Sequence, residues 1–152
     1  MKITKFKIIL LVISILLIFQ IYKNLTIPNT IGVESGKFKA LKDSPNGVSS
    51  QSNNPDDKVA PLEMHGTVSE EKEKIKDLIL SYENTKLIEE NNDYLHFVFT
   101  TNFFHFKDDI EFFFDTENNI IDFKSQSRIG YSDMGVNRER YKRIREDYLN
   151  LN

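Results

Sequence analysis

The chain has 152 residues, one domain's length, with 39% apolar residues and a formal net charge of -3. That charge excludes the broad basic surface that would hold nucleic acid or another acidic polymer. Cysteine is absent, which removes disulfides, thiolate metal sites, a cysteine nucleophile and a lipid-attachment cysteine.

Residues 1–7 carry Lys2, Lys5 and Lys7, and Ile8 to Tyr22 then run without a charge until Lys23. We read 8–27 as a transmembrane anchor. Three lysines before the segment against one just after it place residues 1–7 in the cytoplasm and the remainder outside. A cleaved secretory signal is the alternative, but Phe19-Gln-Ile-Tyr-Lys-Asn24 lacks the small-residue cleavage pattern. The apolar run is slightly shorter than the ~20 residues that cross a bilayer, and Ile3, Phe6, Leu25 and Ile27 can extend it.

Prolines, glycines and a Ser/Asn/Asp-rich stretch break all periodicity from 28 to 66, so this part reads as tether and loop. Short extended pieces are expected near Gly36–Leu41 and Val48–Ser50. A helix follows. Thr67-Val-Ser-Glu70 has capping-box spacing, and Ile75, Leu78, Ile79 and Tyr82 form one apolar stripe.

Three strands are predicted next, from the alternation of Leu95, Phe97 and Phe99, of Ile110, Phe112 and Phe114, and of Ile121 and Phe123. With Thr116–Asn119 as a four-residue loop, Phe114 faces Ile121, Phe112 faces Phe123 and Glu111 faces Lys124. The same register puts Asp108 near Ser127 on one face and Asp109 diagonal to Arg128 on the other. A last helix begins after Gly135, with Asn137, Tyr141, Ile144 and Tyr148 on one side and arginines on the rest. The fold class is therefore α+β: a small antiparallel sheet with two packed helices over 67–152, preceded by a transmembrane helix.

His65, His96 and His105 lack metal-ligand spacing, so no metal site and no cofactor is expected. Asp108, Asp109 and Asp133 are the candidate catalytic carboxylates, although adjacent strand residues face opposite ways. Ser125, Ser127 and Ser132 lack the sharp G-x-S-x-G turn of a serine hydrolase. The densest set of hydrogen-bonding groups lies between the last strand and the last helix. There Ser125, Ser127, Arg128, Tyr131, Asp133, Asn137 and Arg138 are candidate ligand-binding residues, with Gly130 and Gly135 free to adopt positive φ.

Asp43-Ser-Pro-Asn-Gly-Val-Ser-Ser50, Phe106-Lys-Asp-Asp-Ile-Glu-Phe112 and the run from Ser125 to Arg140 resemble, in order, the signature blocks of the domain of unknown function 1499 family, over about residues 32–148. The resemblance implies a bacterial envelope or plastid setting and a small α+β domain, and no established activity. Members commonly carry a cysteine inside the Pro-Asn-Cys-Val-Ser-Ser motif and another shortly before it; here Gly47 and Leu41 stand at those places.

Three functional readings follow. The first is a membrane-anchored extracytoplasmic module that binds or supports the envelope, with the bilayer as partner through 8–27 and a small anionic or lipid ligand. The second is a hydrolytic or metal-assisted enzyme using Asp108, Asp109, Arg128 and Asp133, which must then converge on one pocket. The third is a carrier of an apolar or anionic lipid ligand held among Phe103, Phe104, Phe106, Phe113 and Phe114, which needs a cavity of ~300 Å³ or more.

Overall fold

The computed structural model describes residues 2–151. Helix α1 (Lys2–Leu25) has its apolar side chains from Phe6 onward exposed on every side; 21 of its residues, Lys5–Leu25, are long and apolar enough to cross a membrane. The chain then lays down four short strands, β1 (Val33–Glu34), β2 (Lys37–Phe38), β3 (Gly47–Ser49) and β4 (Leu62–Glu63), before helix α2 (Val68–Ser81). Strands β5 (Thr85–Glu90), β6 (Tyr94–Thr100), β7 (Lys107–Asp115) and β8 (Ile120–Ser127) and helix α3 (Val136–Leu149) complete it. The α+β class holds.

The main sheet runs β3-β8-β7-β6-β5, antiparallel throughout, with β4 also paired to β8. The register expected for the central hairpin is the one observed: Phe114 opposite Ile121, Phe112 opposite Phe123 and Glu111 opposite Lys124. One-residue slippage would turn the buried apolar set outward, so hydrophobic alternation and the charge pair select a single register.

Strand β5 is a fourth hairpin strand that alternation does not reveal. Thr85-Lys-Leu-Ile-Glu-Glu90 lies at the sheet edge, mostly exposed, and its pairing shifts between Leu87 and Glu89. An edge strand buries one side at most, and the irregularity interrupts the period of two. Strands β3 and β4, like β1 and β2, are too short to show any period.

Helices α2 and α3 cover one face. The capping box at Thr67 and Glu70 forms, and Ile75 and Ile79 of α2 pack with Tyr141, Ile144 and Tyr148 of α3 onto Leu95, Phe97, Ile110, Phe112, Phe114, Ile121 and Phe123. The rings interlock edge-on, Phe97 against Phe112 at 6.0 Å and Phe112 against Phe123 at 5.4 Å. The opposite face has a different character. It is charged, and it is covered by the irregular strap that runs from Asn24 to Gln51.

Candidate functional site

Alternation along β6, β7 and β8 sends Tyr94, His96, Asp109, Glu111, Asp122, Lys124 and Gln126 to the strap side, where all are buried. Ions taken out of water cost several kcal/mol each unless paired and hydrogen-bonded. Here they are paired. Arg128 grips Asp109 with both arms of its fork, Nε at 2.9 Å and Nη2 at 2.8 Å, and His96 Nε2 donates to the same carboxylate at 2.8 Å. Glu111 accepts from the Tyr94 hydroxyl and from the Gly32 amide, each at 2.7 Å, and lies 2.8 Å from the Lys124 ammonium.

The strap closes over this charge through both its backbone and its side chains. Arg128 donates to Asn24 O, Lys124 to Thr30 O, Gln126 to the Thr30 hydroxyl, and Asp122 accepts from Ser50 and Gln51. From the strap side, Lys42 donates to the carbonyls of Ser127 and Arg128 at 2.8 and 2.9 Å. His96 Nδ1 and Gln126 Oε1 are buried without a hydrogen-bonding partner, a cost of about 1–3 kcal/mol for each such group.

Protonation follows the pairing. Burial pushes the Asp109 carboxyl up, but the hydrogen bonds from His96 and Arg128, with the charge of Arg128, outweigh it and hold the group below the usual range. Burial pulls the Lys124 ammonium down, with Glu111 opposing; burial likewise pulls Lys42 down and pushes the Tyr94 phenol up. Asp109 is the acid-sensitive member. Its folded value lies below its unfolded one, so its contribution is present above ~pH 4 and is lost as pH falls through the folded value. Stability of the detergent-solubilised protein is therefore expected to decline from ~pH 5 downward. Asp109→Asn should flatten that decline in denaturant titrations at stepped pH; an unchanged slope would locate the acid sensitivity elsewhere.

On the helix side, Asp108 meets a different arginine, with Arg140 Nη2 at 2.6 Å. Asn137, fully buried, accepts from Ser125 and Arg140 and donates to Ser127 Oγ, Asn46 O and Asp133 Oδ2. Asp133 accepts the backbone amides of Gly135 and Asn137 at the start of α3, whose N-cap position is Gly135, while Gly130 (φ 93°) and Gly135 (φ 83°) turn the chain in the left-handed region.

The groups singled out in the sequence thus divide between two faces. Asp108 and Asp109 are neighbours that point apart, and neither converges with Asp133 on a pocket. Ser125, Ser127, Arg128 and Asn137 are buried and bonded to one another or to the strap, and Arg138 reaches the carbonyls of Asp56 and Lys58. Tyr131 alone of the set is largely exposed, at 76%, on the rim of a hollow of ≈ 730 Å³ between 38–45 and 49–57. No group of three or more His, Asp or Glu among the described residues could hold a metal ion.

Sequence reasoning misses His96, Tyr94 and the strap. The clue for His96 was its parity: it alternates with Leu95 and Phe97, so it must share the Asp109 face. No local pattern marks Asn24, Thr30 or Gly32 as partners.

Gly47 explains one departure from the signature motif. A Cβ built there would come within 2.8 Å of Ser125 O and of Gln126 Cβ, and 3.0 Å from Leu41 Cδ2, so Leu41 already fills the space beside it. Gly47→Ala is expected to destabilise by about 1–3 kcal/mol through overpacking; thermal unfolding matching the parent would show that β3 can shift away from β8.

No curated protein and no solved structure matches this chain. The family described as "Protein of unknown function (DUF1499)" matches residues 37–148, which take in β2 through nearly all of α3, the helix-side cluster, and the sheet residues of the strap-side cluster without their partners Asn24, Thr30 and Gly32. The chain belongs to the DUF1499 family.

Proposed function

We propose that this protein is a single-pass membrane-tethered module whose body stands outside the cytoplasm and acts by binding rather than by chemistry. The observation that carries the reading is the seam between tether and body. Asn24, in the last turn of α1, is hydrogen-bonded to His105, Lys107 and Arg128, so the helix enters the fold instead of dangling from it. The lysine asymmetry across α1 favours this orientation.

The carboxylates that an enzyme would need are occupied by two separate arginines on two sides of the sheet. An apolar carrier is not favoured, because Phe114 lies in the core while Phe103 and Phe104 face outward. The hollow beside Tyr131, edged by Lys39, Asp43, Asn53 and Asp56, suits a polar partner.

The chain has no cysteine, so Glu117→Cys in the exposed β7–β8 turn gives a single reporter. Labelling by a membrane-impermeant maleimide in intact cells or spheroplasts is the expected result. Labelling only after permeabilisation would reverse the orientation, and an intact mass lacking the first twenty-odd residues would replace the tether with a signal peptide.

A further inference from the structure

The loop joining β6 to β7 breaks the usual rule for a hairpin tip. Thr101-Asn-Phe-Phe-His-Phe106 exposes three phenylalanines, Phe103 at 84%, Phe104 at 66% and Phe106 at 42%. Such a patch on a water-facing loop calls for a partner. The loop is not floppy. The Thr101 amide donates to Phe106 O at 2.9 Å, the His105 amide to Thr101 O at 3.1 Å and the Phe106 amide to Thr101 Oγ1 at 2.9 Å. With His105 in the left-handed region (φ 51°), the Phe104 and Phe106 rings stack at 5.2 Å and Phe103 meets Phe104 edge-on at 4.9 Å. Holding a non-glycine residue there costs of order 1 kcal/mol.

The position of this loop names its partner. Asn24 Nδ2 donates to His105 O at 2.8 Å, and the Lys107 amide donates to Asn24 Oδ1 at 2.9 Å, so the aromatic tip is clamped to the last turn of α1. The 21 apolar-span residues of α1, at ~1.5 Å each, cover about 30 Å, the thickness of a bilayer's hydrocarbon core. Asn24 therefore falls at the boundary, where exposed phenylalanines can bury their rings among the headgroups and the first acyl carbons. We propose that the Thr101–Phe106 loop is a second membrane anchor, its phenylalanines seated in the interfacial layer of the bilayer that α1 crosses. This rests on the tether reading above and adds an orientation to it. The nine residues of β7, at ~3.3 Å each, put almost 30 Å of strand between that loop and the β7–β8 turn, which lies at the opposite end of the hairpin.

The chain contains no tryptophan, so single substitutions report their own surroundings. The full-length protein is reconstituted in phosphatidylcholine vesicles containing lipids brominated either high or low on the acyl chain, with tryptophan introduced as Phe104→Trp, Glu117→Trp or Leu16→Trp. Expected is blue-shifted emission from Phe104→Trp, quenched most by the high bromines, water-like unquenched emission from Glu117→Trp, and quenching of Leu16→Trp by the low bromines. Quenching of Leu16→Trp with none at Phe104→Trp would overturn the second anchor and leave the tether. If neither is quenched, both readings fall.

Discussion

Arg128→Met is expected to cost about 3–5 kcal/mol, because it leaves the Asp109 carboxylate buried with its charge uncompensated. It also removes the donor to Asn24 O, so the seam between α1 and the body loosens. Thermal unfolding in detergent should fall by about 10 °C or more. Since the loss comes from the stranded charge, Asp109→Asn together with Arg128→Met should recover part of it, the two effects summing to more than the double variant shows. Additive losses would mean that the pair is not coupled. Arg128→Lys should rescue poorly, because a point charge cannot reproduce the two-armed contact.

Asn137→Ala comes second in expected effect, at about 3 kcal/mol. The side chain is fully buried and is the hub through which Ser125, Ser127, Asn46, Asp133 and Arg140 are joined, so truncation leaves several buried donors and acceptors without partners at about 1–3 kcal/mol for each one not rescued by rearrangement. Its removal also empties the space between the start of α3 and β8. Chymotrypsin digestion under native conditions should then cut first near Tyr131, in the loop that the hub restrains. A digestion pattern and midpoint equal to the parent's would show that the junction is held by packing alone.

How far the two clusters could be read in advance differs by cluster. The hairpin register put Asp109 diagonal to Arg128 and Asp108 beside Ser127, and both placements are observed, because an apolar stripe and the Glu111–Lys124 pair agree on one alignment. Asn137, Tyr141, Ile144 and Tyr148 likewise share the buried side of α3, as their spacing requires. A basic helix set against an acidic hairpin implies pairing between the two, and Arg140 with Asp108 is such a pair; which arginine reaches the hairpin was not legible, since each looks the same along the chain whether it faces water or a carboxylate.

The polar run from the end of β8 into the start of α3 is where composition misleads most. Its serines, asparagine and arginine look like a ligand cradle in one dimension, yet the fold spends nearly all of them on one another. Buried polar groups must find partners, and a corner between strand and helix has many unpaired backbone ends to satisfy.

From its order of residues alone, this protein declares an apolar leading helix, two amphipathic helices, the central strands and their register, since each is a pattern repeated within a few residues along the chain. Only the tertiary structure decides that the strap seals a charged sheet face, that His96 joins Asp109, and that an aromatic loop sits against the end of α1. Those contacts join residues as far apart as the 72 between Ser50 and Asp122 and the 104 between Asn24 and Arg128, and no local period encodes a partner at that distance. What selects them is the requirement that every buried charge on that face be met, which exists only once the sheet has formed.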